Sequence, residues 1–237
     1  MHRPDARPVL DRTFAAVLFD MDGTLISSTA SVVRSWTQLA VEYAIPAERF
    51  GDFHGIPARA LIDLLLADRD AAERDAAAAR ITELEIADGR GVLALPGAAE
   101  AMSALAPAGL CAVVTSANAR LATARLTAVG LLQCPVVTAD DVTRGKPDPE
   151  PFRAAAAVLG VDPARCLVVE DATAGVVAGR AAGAAVLGVR TTSPDLAADL
   201  VVDDLAAVRL EPADGGVVVR AVAEARSAQD AQTAHRG

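Results

Sequence analysis

Short runs of apolar residues alternate along most of this chain with longer segments in which apolar residues recur every three or four positions. A short apolar run that ends at a turn is typical of a strand buried on both faces, and the longer periodic segments are typical of amphipathic helices. The predicted strands are residues 14–19, 110–114, 135–137, 166–169 and 185–189, and the predicted helices are residues 98–106, 119–129, 149–159 and 174–182. This alternation predicts an α/β fold in which a parallel sheet carries helices on both faces.

One segment interrupts the alternation. From residue 27 to residue 93 the apolar spacing is helical throughout, and roughly 65 residues are too many for an ordinary connection between two strands. We interpret this segment as an inserted α-helical cap that stands over the carboxyl edge of the sheet, although a rigid helical excursion has the same pattern. The predicted organisation is a leader over residues 1–13, a core domain over residues 14–26 and 96–212, the cap over residues 27–95, and a short edge strand with a flexible tail over residues 213–237.

Composition and charge restrict the partners of the chain. Of its 237 residues, 52% are apolar and only 3% are aromatic, so we expect a core of Ala, Val and Leu and exclude a disordered chain. The scarcity of rings argues against stacking on nucleobases, and a formal net charge of −9 repels nucleic acids and anionic membranes. Three cysteines without metal-ligand spacing and the absence of an apolar leader predict a cytoplasmic protein with reduced thiols, and we expect a monomer.

Polar side chains follow the predicted strands at their carboxyl ends, where open α/β sheets bind their ligands. The residues that reach this edge are Asp20, Asp22, Ser116, Ala117, Asn118, Lys146, Glu170 and Asp171. Clustered carboxylates repel one another unless a cation lies among them, and an all-oxygen ligand set selects Mg²⁺. A lysine neutralises phosphate oxygens, and hydroxyl, amide and backbone N–H groups at a helix start bind them. The combination predicts phosphoryl transfer with Mg²⁺ as the cofactor.

The first pair of carboxylates has a spacing suited to two-step chemistry. Asp20 and Asp22 lie two residues apart just after the first strand, so both side chains can point into the site while Met21 points away. One carboxylate can attack phosphorus, and the other can protonate the leaving oxygen and then deprotonate water.

Four segments resemble, in order, the four motifs of the haloacid dehalogenase superfamily of phosphatases. They are residues 19–25 (FDMDGTL), Ser116 after the second strand, residues 145–149 (GKPDP) and residues 169–175 (VEDATAG). Four ordered motifs at strand ends are far more specific than any one of them alone. The resemblance covers about residues 14–204 and implies a Rossmann-like parallel sheet with a small inserted helical cap.

The resemblance also implies roles for the acidic residues. Asp20 would be the nucleophile that forms an aspartyl-phosphate, and Asp22 would be the general acid and base. Asp171, the Asp20 carboxylate and the backbone carbonyl of Asp22 would hold Mg²⁺. Glu170 would either ligate the ion directly or support its ligands from behind.

The remaining motif residues would bind the substrate. By the same resemblance, Ser116 and the adjacent residues 117–118 would bind phosphate, and Lys146 would offset the charge of the nucleophile and the phosphate. His54 and Gly55 in the cap loop are candidates for contacts with the rest of the substrate, although an ordinary loop histidine fits the sequence equally well.

Within the small-cap subclass, the chain most resembles phosphatases of sugar, glycerol and deoxyglucose phosphates. In the related β-phosphoglucomutases a histidine usually stands in the first cap helix, where this chain has Val32. We therefore expect a Mg²⁺-dependent phosphatase of a small sugar or polyol phosphate. The alternatives are an isomerase like β-phosphoglucomutase and a non-catalytic sensor of phosphorylated ligands.

Overall fold

The computed structural model describes residues 9–50 and 57–222. In chain order its strands are β1 (Thr13–Phe14), β2 (Ala16–Phe19), β3 (Ile26–Ser27), β4 (Leu93–Ala94), β5 (Cys111–Val114), β6 (Val136–Val137), β7 (Cys166–Glu170), β8 (Ala185–Val189), β9 (Leu200–Val202), β10 (Val208–Ala213) and β11 (Gly216–Ala221). Its α-helices are α1 (Thr29–Glu42), α2 (Ala58–Leu65), α3 (Ala71–Ala87), α4 (Ala98–Leu105), α5 (Ala119–Ala128), α6 (Glu150–Val158) and α7 (Thr173–Ala181). None of the helices in these two ranges combines the length and apolar character needed to cross a bilayer.

Six strands form the main sheet in the order β6-β5-β2-β7-β8-β9, and every neighbouring pair is parallel. Successive side chains of a strand point to opposite faces, so Val17 and Phe19 of β2 pack with α4 and α5, whereas Ala16 and Leu18 pack with α6 and α7. All four side chains are buried, which explains why the sequence shows an unbroken apolar run instead of an alternating one. The predicted α/β fold, a parallel sheet with helices on both faces, is confirmed.

The first predicted strand is divided between two sheets. Phe14 pairs with Val217 in a separate sheet of order β1-β11-β10, the chain bends at Ala15, and Ala16 begins the central strand of the main sheet. The prediction of one strand over residues 14–19 was wrong in this respect because an apolar run carries no signal for a change of partner.

The second sheet also corrects the prediction of a short edge strand after residue 213. Strand β11 pairs with β1 on one side and β10 on the other, so it is the central strand of this sheet. Asp214 and Gly215 form the two-residue turn between β10 and β11, and Asp-Gly is a strong hairpin signal. The edge strands of the main sheet are β6 and β9, and β9 was not predicted from the sequence. Residues 223–237, which include most of the predicted tail, lie outside the described residues.

Helices α1–α3, which we call the cap, lie between β3 and β4. These two short strands pair antiparallel, with Ile26 opposite Ala94 and Ser27 opposite Leu93. Both connections of the cap therefore leave the core side by side, as one two-stranded ribbon. The apolar interior of the cap is separate from the two clusters on the main sheet. The domain boundaries themselves stay a prediction.

Candidate active site

Three carboxylates meet at the carboxyl edge of the two central strands of the main sheet. Asp20 follows β2, Glu170 ends β7, and Asp171 comes directly after it. One oxygen from each lies within 4.8 Å of the others, an arrangement that could hold a metal ion. Their residues are only 8%, 1% and 3% exposed. The parallel pairing of β2 with β7 brings the first and fourth motifs together, as the sequence analysis expected.

Lys146 is buried among these carboxylates. Its Nζ donates to Asp20 Oδ1 at 2.6 Å, to Glu170 Oε1 at 2.7 Å and to the backbone oxygen of Val114 at 3.0 Å. An ammonium group has three donors and no acceptor, so this environment satisfies it completely. The amine is therefore held beside the predicted nucleophile.

The electrostatics of the cluster favour a further cation. Burial raises the pKa of Asp20 well above its ordinary value, although Lys146 opposes the effect. Burial, together with the charge of Glu170, raises the pKa of Asp171 to about 6. Burial acts to lower the pKa of Lys146, but the carboxylates of Asp20 and Glu170 outweigh it, so the net shift is upward. Three carboxylates against one ammonium leave a negative site, and hard oxygen donors of this kind suit Mg²⁺.

Glu170 is held on both oxygens. Oε1 accepts from Lys146, and Oε2 accepts from the backbone N–H groups of Asp171 at 3.1 Å and Ala172 at 3.2 Å. Gly175 at the start of α7 makes room for it, since a Cβ there would lie 1.7 Å from Glu170 Oε1. Glu170 was predicted either to ligate the ion directly or to support the ligands of the ion. Its hydrogen bonds are typical of the supporting role.

Asp171 occupies a similarly close-fitted position. Its Oδ1 accepts a hydrogen bond of 3.3 Å from Thr24 Oγ1. The backbone of Gly23 packs against the Asp171 carboxylate with a φ of +91°, and a Cβ on Gly23 would lie 2.0 Å from Asp171 Oδ2. A left-handed backbone and this close approach both require glycine at position 23. The fit of the carboxylates of Asp20 and Asp171 to a hard cation therefore depends on the turn that follows β2.

The Asp22 carboxylate lies outside the metal-binding group and has its own partners. Its Oδ1 accepts from Ser28 Oγ at 2.5 Å and from Arg125 Nη1 at 2.9 Å. Arg125 is not among the residues predicted from the sequence, although a signal for it existed. Arg125 stands on the apolar stripe of α5 with Leu121 and Leu126, where a charged residue needs a partner. The metal contact predicted through the Asp22 backbone carbonyl stays a prediction.

Three of the four predicted phosphate-binding residues, Ser116, Ala117 and Asn118, lie between β5 and α5 and line the same cavity as the fourth, Lys146. Asn118 caps α5 by accepting from Leu121 N at 3.0 Å, and its Nδ2 donates to Thr82 Oγ1 of the cap at 2.9 Å. The backbone N–H of Ala117 donates to Thr115 Oγ1. Unlike the Ala117 N–H and the Asn118 side chain, the Ser116 hydroxyl has no hydrogen bond to any of the described residues.

A cavity of about 1110 Å³ opens between the sheet edge and the cap. Besides the strand-end residues, its walls include Trp36, Thr82 and Glu85 of the cap. The Trp36 ring meets the Phe50 ring edge to face, with centroids 6.3 Å apart. The two cap residues predicted to contact substrate, His54 and Gly55, lie outside the described residues, so their prediction stays open.

Residues 14–183 match the family described as haloacid dehalogenase-like hydrolases. The chain belongs to this family. Hexitol phosphatase A of Escherichia coli is 38% identical to this haloacid dehalogenase-like hydrolase over 208 residues, which cover 85% of this chain and 96% of that protein. The 2-deoxyglucose-6-phosphate phosphatase 1 of Saccharomyces cerevisiae is 32% identical over 231 residues, which cover 86% of this chain and 93% of that protein.

The crystal structure of β-phosphoglucomutase from Clostridium difficile has the same fold. It superposes with a TM-score of 0.70 over 81% of this hydrolase and 92% of that chain, at 22% identity. The likeness at that identity concerns the fold alone. The family and the enzyme class predicted from the sequence, a phosphoric monoester hydrolase, are confirmed by these comparisons together.

Proposed function

We propose that this hydrolase removes phosphate from a small sugar or polyol phosphate, that Mg²⁺ is its cofactor, and that the reaction passes through an aspartyl-phosphate on Asp20. The observation that carries the proposal is the buried group of Asp20, Glu170 and Asp171 around the ammonium of Lys146. The names of the relatives, a hexitol phosphatase and a deoxyglucose-phosphate phosphatase, support the substrate class. The proposal includes a monomeric enzyme in the cytoplasm that acts on neither nucleic acids nor membranes.

In the first step, a carboxylate oxygen of Asp20 forms a bond to phosphorus while the bond from phosphorus to the alcohol oxygen breaks. Asp22 gives its proton to that oxygen, so the leaving group departs as a neutral alcohol. Lys146 holds Asp20 in place through its 2.6 Å hydrogen bond and offsets the charge of the nucleophile and the phosphoryl group. The Ser116 hydroxyl donates to a phosphoryl oxygen.

In the second step, Asp22 accepts a proton from water, and the water oxygen attacks the phosphorus of the aspartyl-phosphate. The bond between phosphorus and Asp20 breaks, which releases inorganic phosphate, restores the Asp20 carboxylate and leaves Asp22 protonated for the next cycle. The carboxylates of Asp20 and Asp171, with the backbone carbonyl of Asp22, would hold Mg²⁺. The ion, when bound, would neutralise the charge of the phosphoryl oxygens.

The test is a screen for release of inorganic phosphate from sugar, polyol and glycolate phosphates, with and without Mg²⁺. We expect turnover of at least one sugar or polyol phosphate that a chelator abolishes. The Asp20→Asn variant should retain the fold and lose at least about 1000-fold in rate. Isomerisation of a sugar phosphate with a bisphosphate activator and without phosphate release would establish the mutase instead. Binding of phosphorylated ligands without turnover would establish a sensor.

A further inference from the structure

The proposed reaction leaves unused a buried charge that touches one of its groups. Arg125 projects from α5, and its side chain is only 6% exposed. Its Nη1 donates to Asp22 Oδ1 at 2.9 Å, and its Nη2 lies 3.5 Å from Glu85 Oε1 on cap helix α3. Glu85 is itself only 5% exposed. The Arg125 guanidinium therefore lies between Asp22, the predicted general acid and base of the core, and Glu85, a buried carboxylate of the cap.

Stability alone does not explain this arginine. Its Nε and Nη2 are buried and have no hydrogen-bond partner among the described residues. A buried guanidinium is always charged, and leaving its donors unpaired costs free energy that an apolar side chain would not incur. Partly satisfied buried charges of this kind are concentrated at functional sites.

The geometry shows which partner orients the guanidinium. Of the contacts that Arg125 makes, the one to Asp22 has the distance of a charge-assisted hydrogen bond, whereas the one to Glu85 is longer and is an ion pair only. Ser28 Oγ donates to the same oxygen of Asp22. Oδ1 thus accepts two hydrogen bonds, and Oδ2 accepts none from the described residues. An oxygen that accepts two hydrogen bonds is the poorer of the two for carrying a proton.

We propose that Arg125 is a positioning residue that fixes Oδ1 of Asp22, so that Oδ2 faces the substrate and delivers the proton to the leaving alcohol oxygen. Glu85 shares the guanidinium and balances its charge within the cap. This inference rests on the proposed phosphatase reaction. In the step concerned, the Oδ2–H bond breaks and its proton goes to the leaving oxygen as the phosphorus–oxygen bond breaks and Asp20 bonds to phosphorus.

A comparison of leaving groups tests this role. The alkoxide of a sugar or polyol is a poor leaving group and depends on protonation by Asp22, whereas p-nitrophenolate leaves readily without a proton. The rates are measured in single turnovers, with the enzyme in excess over the substrate and at a concentration that saturates it. We expect Arg125→Met to slow release of the alcohol from the best sugar or polyol phosphate of the screen by about 30-fold or more. Release of p-nitrophenol from p-nitrophenyl phosphate should slow by less than about 3-fold. Arg125→Lys keeps the charge and should recover part of the loss.

Two further variants control for folding. Arg125→Met leaves Glu85 buried without its cation, so the double variant with Glu85→Gln removes both charges together and should fold even where the single variant does not. Compared with Glu85→Gln alone, the double variant should show the same selective loss on the sugar or polyol phosphate. Arg120→Met, at an exposed position on the same helix, should leave both rates unchanged.

Other outcomes would overturn the inference. Equal losses on both substrates would assign Arg125 to structure. A change confined to the half-saturating concentration for the sugar or polyol phosphate would make Arg125 a substrate contact. Each of these results needs a wild-type enzyme that releases phosphate and an inactive Asp20→Asn variant. If the wild type releases phosphate from no monoester, the proposed function fails first and the inference fails with it.

Discussion

The edge of the main sheet and the cap carry their charges in opposite ways. At the sheet edge, the side chains of Asp20, Lys146, Glu170 and Asp171 are buried together. In the cap, an apolar interior is surrounded by exposed ion pairs such as that between Arg80 and Glu42. A buried charge costs free energy, whereas an exposed pair adds little. The difference teaches that the sheet edge is built for chemistry and that the cap is stabilised by its apolar packing.

One charge pair crosses between the two regions. Arg125 on the core and Glu85 on the cap are buried like the residues of the sheet edge, although Glu85 belongs to the cap. Next to them, Asn118 donates to Thr82 across the same boundary. These two contacts place buried polar residues of the cap, Thr82 and Glu85, on the side that lines the cavity.

Replacing the buried ammonium should have the largest effect of the changes considered. Lys146→Met leaves Asp20 and Glu170 buried without their cation, so we expect the free energy of unfolding to fall by about 3–5 kcal/mol. The rate of phosphate release should fall by about 100-fold or more, because the nucleophile loses its electrostatic partner. Denaturant unfolding and the phosphate assay measure the two effects. Lys146→Arg, which keeps the charge, should retain more stability; a fully active Lys146→Met enzyme would contradict the proposed site.

The pKa of Asp171 predicts how the stability of the metal-free protein depends on pH. It is raised from 3.8 to about 6 on folding, so the folded state binds more protons than the unfolded chain between these values. Stability from this group is complete below pH 4 and is lost as the pH rises through about 6, by on the order of 2–3 kcal/mol. With a chelator present, the melting temperature should therefore fall as the pH rises to 7.5. The fall should be larger than in an enzyme that lacks this carboxylate.

Asp171→Asn is the control for this prediction, since an amide does not titrate. The variant should lose this component of the pH dependence, and its melting temperature should respond less to Mg²⁺. In the wild type, added Mg²⁺ should raise the melting temperature more at pH 7.5 than at pH 5, because protons and the cation compete for the carboxylate. The same loss of stability with rising pH in Asp171→Asn would show that another group is responsible.

The sequence predicted the sheet edge far better than the cap. Asp20, Glu170 and Asp171 follow buried strands, and parallel pairing brings strand ends together, so their meeting follows from topology. Lys146 is the only lysine in the chain, and this was a further signal for its role that the prediction did not use. Arg125 and Glu85 stand on buried helix stripes, but which residue of another helix meets them depends on how the cap docks. Periodicity within one helix contains no information on that docking.

Gly175 provides a smaller change at the sheet edge. A Cβ at position 175 would lie 1.7 Å from Glu170 Oε1, so Gly175→Ala must displace this carboxylate from Lys146. Overpacking of this kind costs about 1–3 kcal/mol, and we expect a matching fall in the free energy of unfolding and a lower rate of phosphate release. Gly89→Ala is the matched control, since a Cβ there meets no atom within 4 Å. Equal stability of the two variants would show that Glu170 can move freely, contrary to its two-sided hydrogen bonding.

The smallest effect should come from an ion pair of the cap. Glu42 accepts two hydrogen bonds of 2.9 Å from Arg80. This distance equals that between the buried Arg125 and Asp22 and is slightly longer than the distances from Lys146 to its carboxylates. Solvent screens this pair, so Glu42→Gln should change the melting temperature by less than about 2 °C and leave phosphate release unchanged. Melting curves at low and high salt provide the measurement, and they should differ little between the variant and the wild type. A loss of stability comparable to that of Lys146→Met would mean that distance, and not burial, determines what a charge pair contributes in this protein.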